Sequence, residues 1–344
     1  MKKLFSAVFA VLCTLFFILG CDSRAKLYVY NWTEYIPDEV IEKFEQRYGV
    51  RVVYDMYSSN EEMYAKLRVG GARYDLVFPS GDFTSIMIAE GMVKPLDKER
   101  VATVFANLDP AILEMAHHDP GFRYSVPYAV GIAGVVINTQ KIPEYEESWR
   151  LFEDPELRGR ITLLDDMREV MGAALRTLGY SVNSVDTAEL EEAKELVLEW
   201  RRNIVKFDAE TFGKGYAAGE FWAVHGYAEN VFKELEDNPM LEHTKFFVPK
   251  EGGPIYMDNM LILKDTRNVD LAYKFINFIH EPEIYAKIMD YLEMPSINIP
   301  ARKHMTEAPL YELDDILANS EFMRDLGEHL ELYNRIWQEI RVGR

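Results

Sequence analysis

Cysteine is nearly missing from this sequence. The 344 residues include two, Cys13 and Cys21. Both fall in the first 21 positions, so the remainder can form no disulfide and offers no cysteine metal site. Basic residues are also short: Lys and Arg total 38 against 57 Asp and Glu, a formal net charge of −19. That balance excludes the Lys/Arg-rich surface that phosphate backbones need, and with it a nucleic-acid partner. Beyond the first 21 residues no run approaches the roughly 20 apolar residues that span a bilayer. The sequence has no internal repeat, no phosphate-binding loop and no His-Glu-x-x-His pattern, and Pro79-Ser80-Gly81 is not a nucleophile elbow. His117-His118-Asp119 reads as an exposed loop rather than as metal ligands, and no metal or cofactor is expected. What is present is an ordinary globular mix, 48% apolar and 28% charged, long enough for two lobes.

The beginning of the chain reads as a signal peptide, 1–21. Lys2 and Lys3 precede an apolar stretch from Leu4 to Leu19, and Gly20-Cys21 follows. The end of this segment resembles the bacterial lipobox, which implies cleavage before Cys21 and a lipid on its thiol. An ordinary signal peptide with a chance cysteine is the alternative. Loss of Lys2 and Lys3 with the leader makes the chain two charges more negative still.

Apolar periodicity then predicts alternating strands and helices. Leu27–Tyr30 reads as a strand, and a helix runs from Pro37-Asp38 with Gly49 as its stop. Val50–Tyr54 is a second strand, and Ser59 with Glu62 marks a capping box before a helix ending at Gly70-Gly71. Asp75–Phe78 is a third strand. This succession predicts an α/β fold with a parallel, doubly wound sheet. Tyr124–Asn138 is rich in β-formers and is expected to carry the chain between lobes. A second α/β region follows, with strands at Arg160–Leu164, Phe246–Pro249 and Ile255–Leu263. Its helices are Val170–Leu178, Thr187–Arg202 and Leu271–Ile279, and a closing helix spans Phe322–Ile340 with Leu326, Leu330 and Trp337 on its apolar side.

In open α/β sheets a ligand lies beyond the carboxyl ends of the strands. The segments there are Trp32–Tyr35, Ser80–Phe83, Asp165–Glu169, Tyr227–Asn230 and Tyr256–Asn259. Each carries aromatic or acidic side chains; none carries Lys, and Arg168 is the one Arg. Ring faces attract an ammonium by about 0.5–2 kcal/mol, and carboxylates accept from it at about 1.5–3 kcal/mol per bond. The combination suits a flexible organic cation. Asp258, set among Ile255, Tyr256, Leu261 and Ile262, is the sharpest candidate, because a buried carboxylate needs a cation or donors. Trp32 could equally be core packing. Asp165 and Asp166 could cap a helix, with one capping and the other facing the cleft.

Several motifs carry a resemblance. LYVYNWTEYI (27–36), SNEEMYAKL (59–67), YDLVFPS (74–80), DDMRE (165–169), VPKEGG (248–253), Tyr256-Met257-Asp258 and Pro300-Ala301-Arg302-Lys303 occur in order over nearly all of the mature chain. They resemble the spermidine/putrescine-binding proteins of bacterial polyamine ABC transporters. The resemblance implies a two-lobed type II periplasmic-binding-protein fold, with residues 25–130 plus 256–302 in the first lobe and 131–255 plus 303–344 in the second. It implies a non-enzymatic, lipid-anchored periplasmic receptor that closes on spermidine or putrescine and delivers it to an inner-membrane permease. Trp32, Thr33, Tyr35, Ser80, Asp166, Glu169 and Asp258 match family binding positions. Tyr227 and Tyr256 stand where the family implies tryptophan, and Asp82 where it implies tyrosine. Met294 and Met323 stand where tyrosine and glutamine are implied. These departures leave the preferred amine open. The rival readings are a receptor of the same fold for another solute and a secreted carbohydrate-active enzyme using two of the carboxylates.

Overall fold

A computed structural model describes residues 24–70, 73–115 and 117–343. The leader and Cys21 lie outside the described residues. The chain builds two mixed sheets flanked by helices. The first contains β1 (Lys26–Trp32), β2 (Arg51–Tyr57), β3 (Leu76–Val77), β4 (Ser125–Ile132), β10 (Pro254–Ile262) and β11 (Glu321–Phe322). Its order is β11-β10-β3-β1-β2, with β4 on β10. The second orders β7 (Ile204–Phe207), β6 (Ile161–Leu163), β8 (Ala223–Gly226), β5 (Gly134–Asn138) and β9 (Thr244–Phe247).

The expected parallel pairing holds for β1 with β2 and β3, and for β6 with β7 and β8. The strands that enter from the other lobe run the opposite way. Thus β10 is antiparallel to β3 and β4, and β5 to β8 and β9. The chain passes from one sheet to the other at Ala133, between β4 and β5, and returns between Phe247 and Pro254. It crosses again around β11, which pairs with Pro254 and Ile255 before the last helix packs on the second lobe.

Local signals explain most elements. The helix Asp38–Tyr48 ends at Gly49, whose φ of 63° only glycine adopts cheaply. Ser59 accepts from the Glu62 amide as an N-cap, while the Glu62 carboxylate reaches back to Ser58 rather than Ser59. The helix Met167–Thr177 starts earlier than its apolar pattern because Asp166 caps it, accepting from the amides of Arg168 and Glu169.

The closing helix corrects the sequence reading. Glu321 and Phe322 are drawn into β11, Asp325 and Gly327 turn the chain, and the helix begins only at Leu330. Leu330 is exposed; Tyr333, Ile336, Trp337 and Ile340 form the buried stripe. The His117-His118-Asp119 segment is also more structured than an exposed loop. Asp119 is buried and accepts from the amides of Arg123, Tyr124 and Ser125. His118 lies under Gly81 and contacts Asn259 at 3.0 Å. No helix among the described residues is long and apolar enough to cross a membrane.

Candidate functional site

The ends of β1, β3 and the middle of β10 meet on one wall between the sheets. Asp258 is the centre of that wall and only 3% exposed. Tyr35 donates to its Oδ2 at 2.6 Å and Ser80 to its Oδ1 at 2.7 Å. The Ser80–Asp258 β-bridge and a register shift between Asp258 and Asn259 hold this carboxyl where β3 ends. Burial pushes the Asp258 carboxyl up to about 7, against the two hydroxyl donors that pull it down. Asn60, from the SNEEM motif, brackets Ser80 with its amide: Nδ2 donates to Ser80 Oγ at 3.1 Å, and its Oδ1 accepts from the Ser80 amide.

Trp32 is packed into the first lobe, as the core reading expects. Its indole N–H donates to the Phe78 carbonyl at 2.8 Å and its ring packs on Tyr57. The ring is half-buried, so its face, not its N–H, is available to a ligand. Thr33 is exposed at the rim and its hydroxyl donates to the Tyr57 carbonyl at 3.2 Å.

The second wall comes from the ends of β6 and β8. Glu169, at the third position of its helix, turns away from the cap and is fully buried. Tyr227 donates to its Oε1 at 3.4 Å, and Oε2 has no hydrogen-bond partner among the described residues. Desolvation holds this carboxyl well above the usual range, with Asp166 adding to the rise. Asp166 caps its helix, accepting from the amides of Arg168 and Glu169. The carboxyls of Asp166 and Asp82 are both raised first by desolvation. Both side chains remain half-buried. Asp165 instead pairs with Arg341 at 3.3 Å.

The walls touch through two rings. Tyr227 and Tyr256 stand edge to face with centroids 5.7 Å apart. Tyr256 lies across Gly131 on β4, where any Cβ would collide with its hydroxyl. Met294 is fully buried against the same glycine, and Met323 lies just past β11 with its amide on the Ile255 carbonyl.

One acid in this neighbourhood was missed. Glu229, two residues past Tyr227, is pushed up to about 7 by desolvation, and Asp258 and Glu293 add to the rise. Two surface hollows of about 300 Å³ and about 330 Å³ lie elsewhere, beside Pro295 and Arg302 and beside Trp222 and Met240. Neither holds the cleft carboxyls. The two walls therefore bring buried carboxyls and aromatic rings together, chemistry for a slim cation with several charges.

The model of a family described as bacterial extracellular solute-binding protein matches residues 39–319. The spermidine/putrescine-binding periplasmic protein of Escherichia coli is 34% identical over 331 residues, 94% of this chain and 93% of that protein. The putrescine/cadaverine-binding protein of Pseudomonas aeruginosa is 31% identical over 333 residues, 92% of this chain and 94% of that one. Among solved structures, the TpPotD lipoprotein of Treponema pallidum superposes with a TM-score of 0.89 at 42% identity, covering 92% of this chain and 99% of that chain.

Proposed function

The chain belongs to the bacterial extracellular solute-binding proteins, and from that premise we propose that it captures spermidine or putrescine in the interlobe cleft for an ABC transporter. It is a receptor, not an enzyme: the relatives described above are named for binding. One observation carries the reading. Asp258 and Glu169 are buried carboxyls on opposite walls, and no Lys or Arg hydrogen-bonds to either among the described residues. Burial of such groups is costly until a cation arrives, and an ammonium supplies it.

Capture proceeds by hinge closure about the strand crossings at Ala133 and ahead of Pro254. The first lobe is built on the sheet of β1–β4, β10 and β11, and the second on the sheet of β5–β9. The face of Trp32 and the rings of Tyr35, Tyr227 and Tyr256 enclose the methylenes. Asp82, Asp166, Glu169 and Asp258 accept from the amines, with Ser80 and Thr33 positioning the first wall. The closed form docks on an inner-membrane permease, and a lipid on Cys21 tethers the receptor in the periplasm.

Calorimetric titration with spermidine, putrescine and maltose tests the reading. Saturable binding of either amine at micromolar or lower concentration, with none of the neutral sugar, is expected. Absence of binding by both amines overturns it. Membrane fractionation of the full chain and of Cys21→Ala tests the tether, which requires the variant to become soluble.

A further inference from the structure

Lys233 of the second lobe forms an ion pair with Glu34 of the first. It follows the short helix Ala228–Phe232 of the second lobe. Its Nζ donates to Glu34 Oε2 at 3.1 Å and to the Tyr291 hydroxyl at 3.2 Å, both in the first lobe. The ammonium also lies 4.3 Å from the centre of the Tyr291 ring. A cation held by one carboxylate and one aromatic ring is the arrangement proposed above for the amines of the ligand.

The seat is continuous with the cleft. Glu34 stands between Thr33 and Tyr35 in the turn after β1, at a φ of 54° that fixes the turn in a conformation unusual for a side-chain-bearing residue. Tyr35 then reaches Asp258. On the other wall Glu229 lies in the helix Ala228–Phe232, four residues before Lys233 and so one helical turn from it along the same segment.

The geometry points to Lys233 as a specificity-determining residue: a resident ammonium fills the Glu34–Tyr291 seat and denies it to the ligand, so the bound amine must end inside it. This rests on the polyamine reading. A ligand long enough to continue past Glu229 meets a like charge. With Lys233 removed, the Glu34 carboxylate and the Tyr291 ring are free to accept one more protonated amine. A long tetraamine can use that seat; a short diamine cannot.

The test is the ratio of affinities for spermine and putrescine, measured by calorimetry on the purified wild-type protein and on Lys233→Met, Lys233→Arg and Lys233→Met/Glu34→Gln. The ratio cancels any loss common to both ligands, such as looser closure of the lobes. We expect Lys233→Met to raise the ratio at least fivefold in favour of the tetraamine. Lys233→Arg should keep the wild-type ratio, and the double variant should lose the gain. An unchanged ratio in Lys233→Met overturns the inference, as does a gain that survives removal of the Glu34 charge. Equal weakening of both amines, which would make Lys233 only a tie between lobes, overturns it too. Those results leave the polyamine reading standing, whereas failure of the wild type to bind either amine removes both.

Discussion

The Tyr35 hydroxyl donates to Asp258 at 2.6 Å across 223 positions of sequence. This bond joins the turn after β1 to the strand that returns from the second lobe. It also shows how the fold tolerates a nearly inaccessible carboxyl. Two hydroxyls, from Tyr35 and Ser80, supply donors to its two oxygens but no charge. Two neutral donors soften the desolvation without cancelling it, which is why the group sits near 7.

Replacing Asp258 by Asn should therefore separate binding from stability. Loss of the charge should weaken polyamine binding tenfold or more, about 1.4 kcal/mol per decade. The ligand-free protein should gain stability at pH 8. A carboxyl whose folded pKa lies near 7, above its unfolded value near 4, destabilises the fold fully above pH 7 and not at all below pH 4. Urea denaturation at pH 8 and pH 4 checks the sign: the variant's advantage should shrink as the pH falls. Unchanged affinity would remove Asp258 from the binding site.

His225 works in the opposite sense. It is fully buried on β8 with its ring edge-on to Trp149 at 4.9 Å, and neither ring nitrogen has a partner among the described residues. Burial drives its pKa down to about 3. The neutral form is compatible with the fold, so its contribution is intact above the unfolded value near 6.5 and is lost as the pH falls toward 3, about 1.4 kcal/mol per unit. His225→Leu should gain about 2 kcal/mol on the wild type between pH 7.5 and pH 5. Denaturation of both proteins at the two pH values measures this, and a pH-independent difference would contradict it.

The sequence exposed the site's chemistry more fully than its geometry. Strand ends are readable from β-rich runs closed by polar turns, which is why Trp32, Ser80 and Asp166 fall into place from the sequence, whereas β8 ahead of Tyr227 has no such signal and that residue rests on the family resemblance. The antiparallel direction of β5 and β10 was not readable, because residue pattern reports which face is buried and not which way a neighbour runs. The closing helix was overextended because Phe322, Leu326 and Leu330 keep an apolar spacing although β10 captures the first of them. Glu229 and Lys233 escaped for another reason: a charge in a polar helix looks solvated until the opposite lobe is set against it.

Gly131 is a position where shape alone should matter. It faces Tyr256 across the β4–β10 ladder, and the tyrosine's hydroxyl fills the space a side chain would take. Gly131→Ala should displace the Tyr256 ring from its edge-to-face contact with Tyr227 and lower polyamine affinity, with every carboxylate retained. Gly131→Ala/Tyr256→Leu, which removes the colliding hydroxyl, should recover fold stability but not affinity. Thermal unfolding and calorimetry of the two variants distinguish this from a general packing defect, for which stability and affinity would recover together.

Binding should also move protons. Asp258 and Glu229 both sit near 7 in the ligand-free protein, so at pH 7 each is partly protonated. An incoming ammonium favours the charged carboxylate, which lowers both pKa values and expels the protons that remain. Net proton release is therefore expected at pH 6 and pH 7, with Glu169, which burial also raises, adding to it. The same linkage makes the apparent affinity fall as the pH drops below 7, because protons compete with the amine for the same oxygens. Calorimetry at pH 7 in two buffers of different ionisation heat gives the number released. Asp258→Asn should reduce it, and Glu229→Gln should reduce it further. A wild-type value of zero at pH 6 would mean that neither carboxyl meets an ammonium, however tightly the ligand is held.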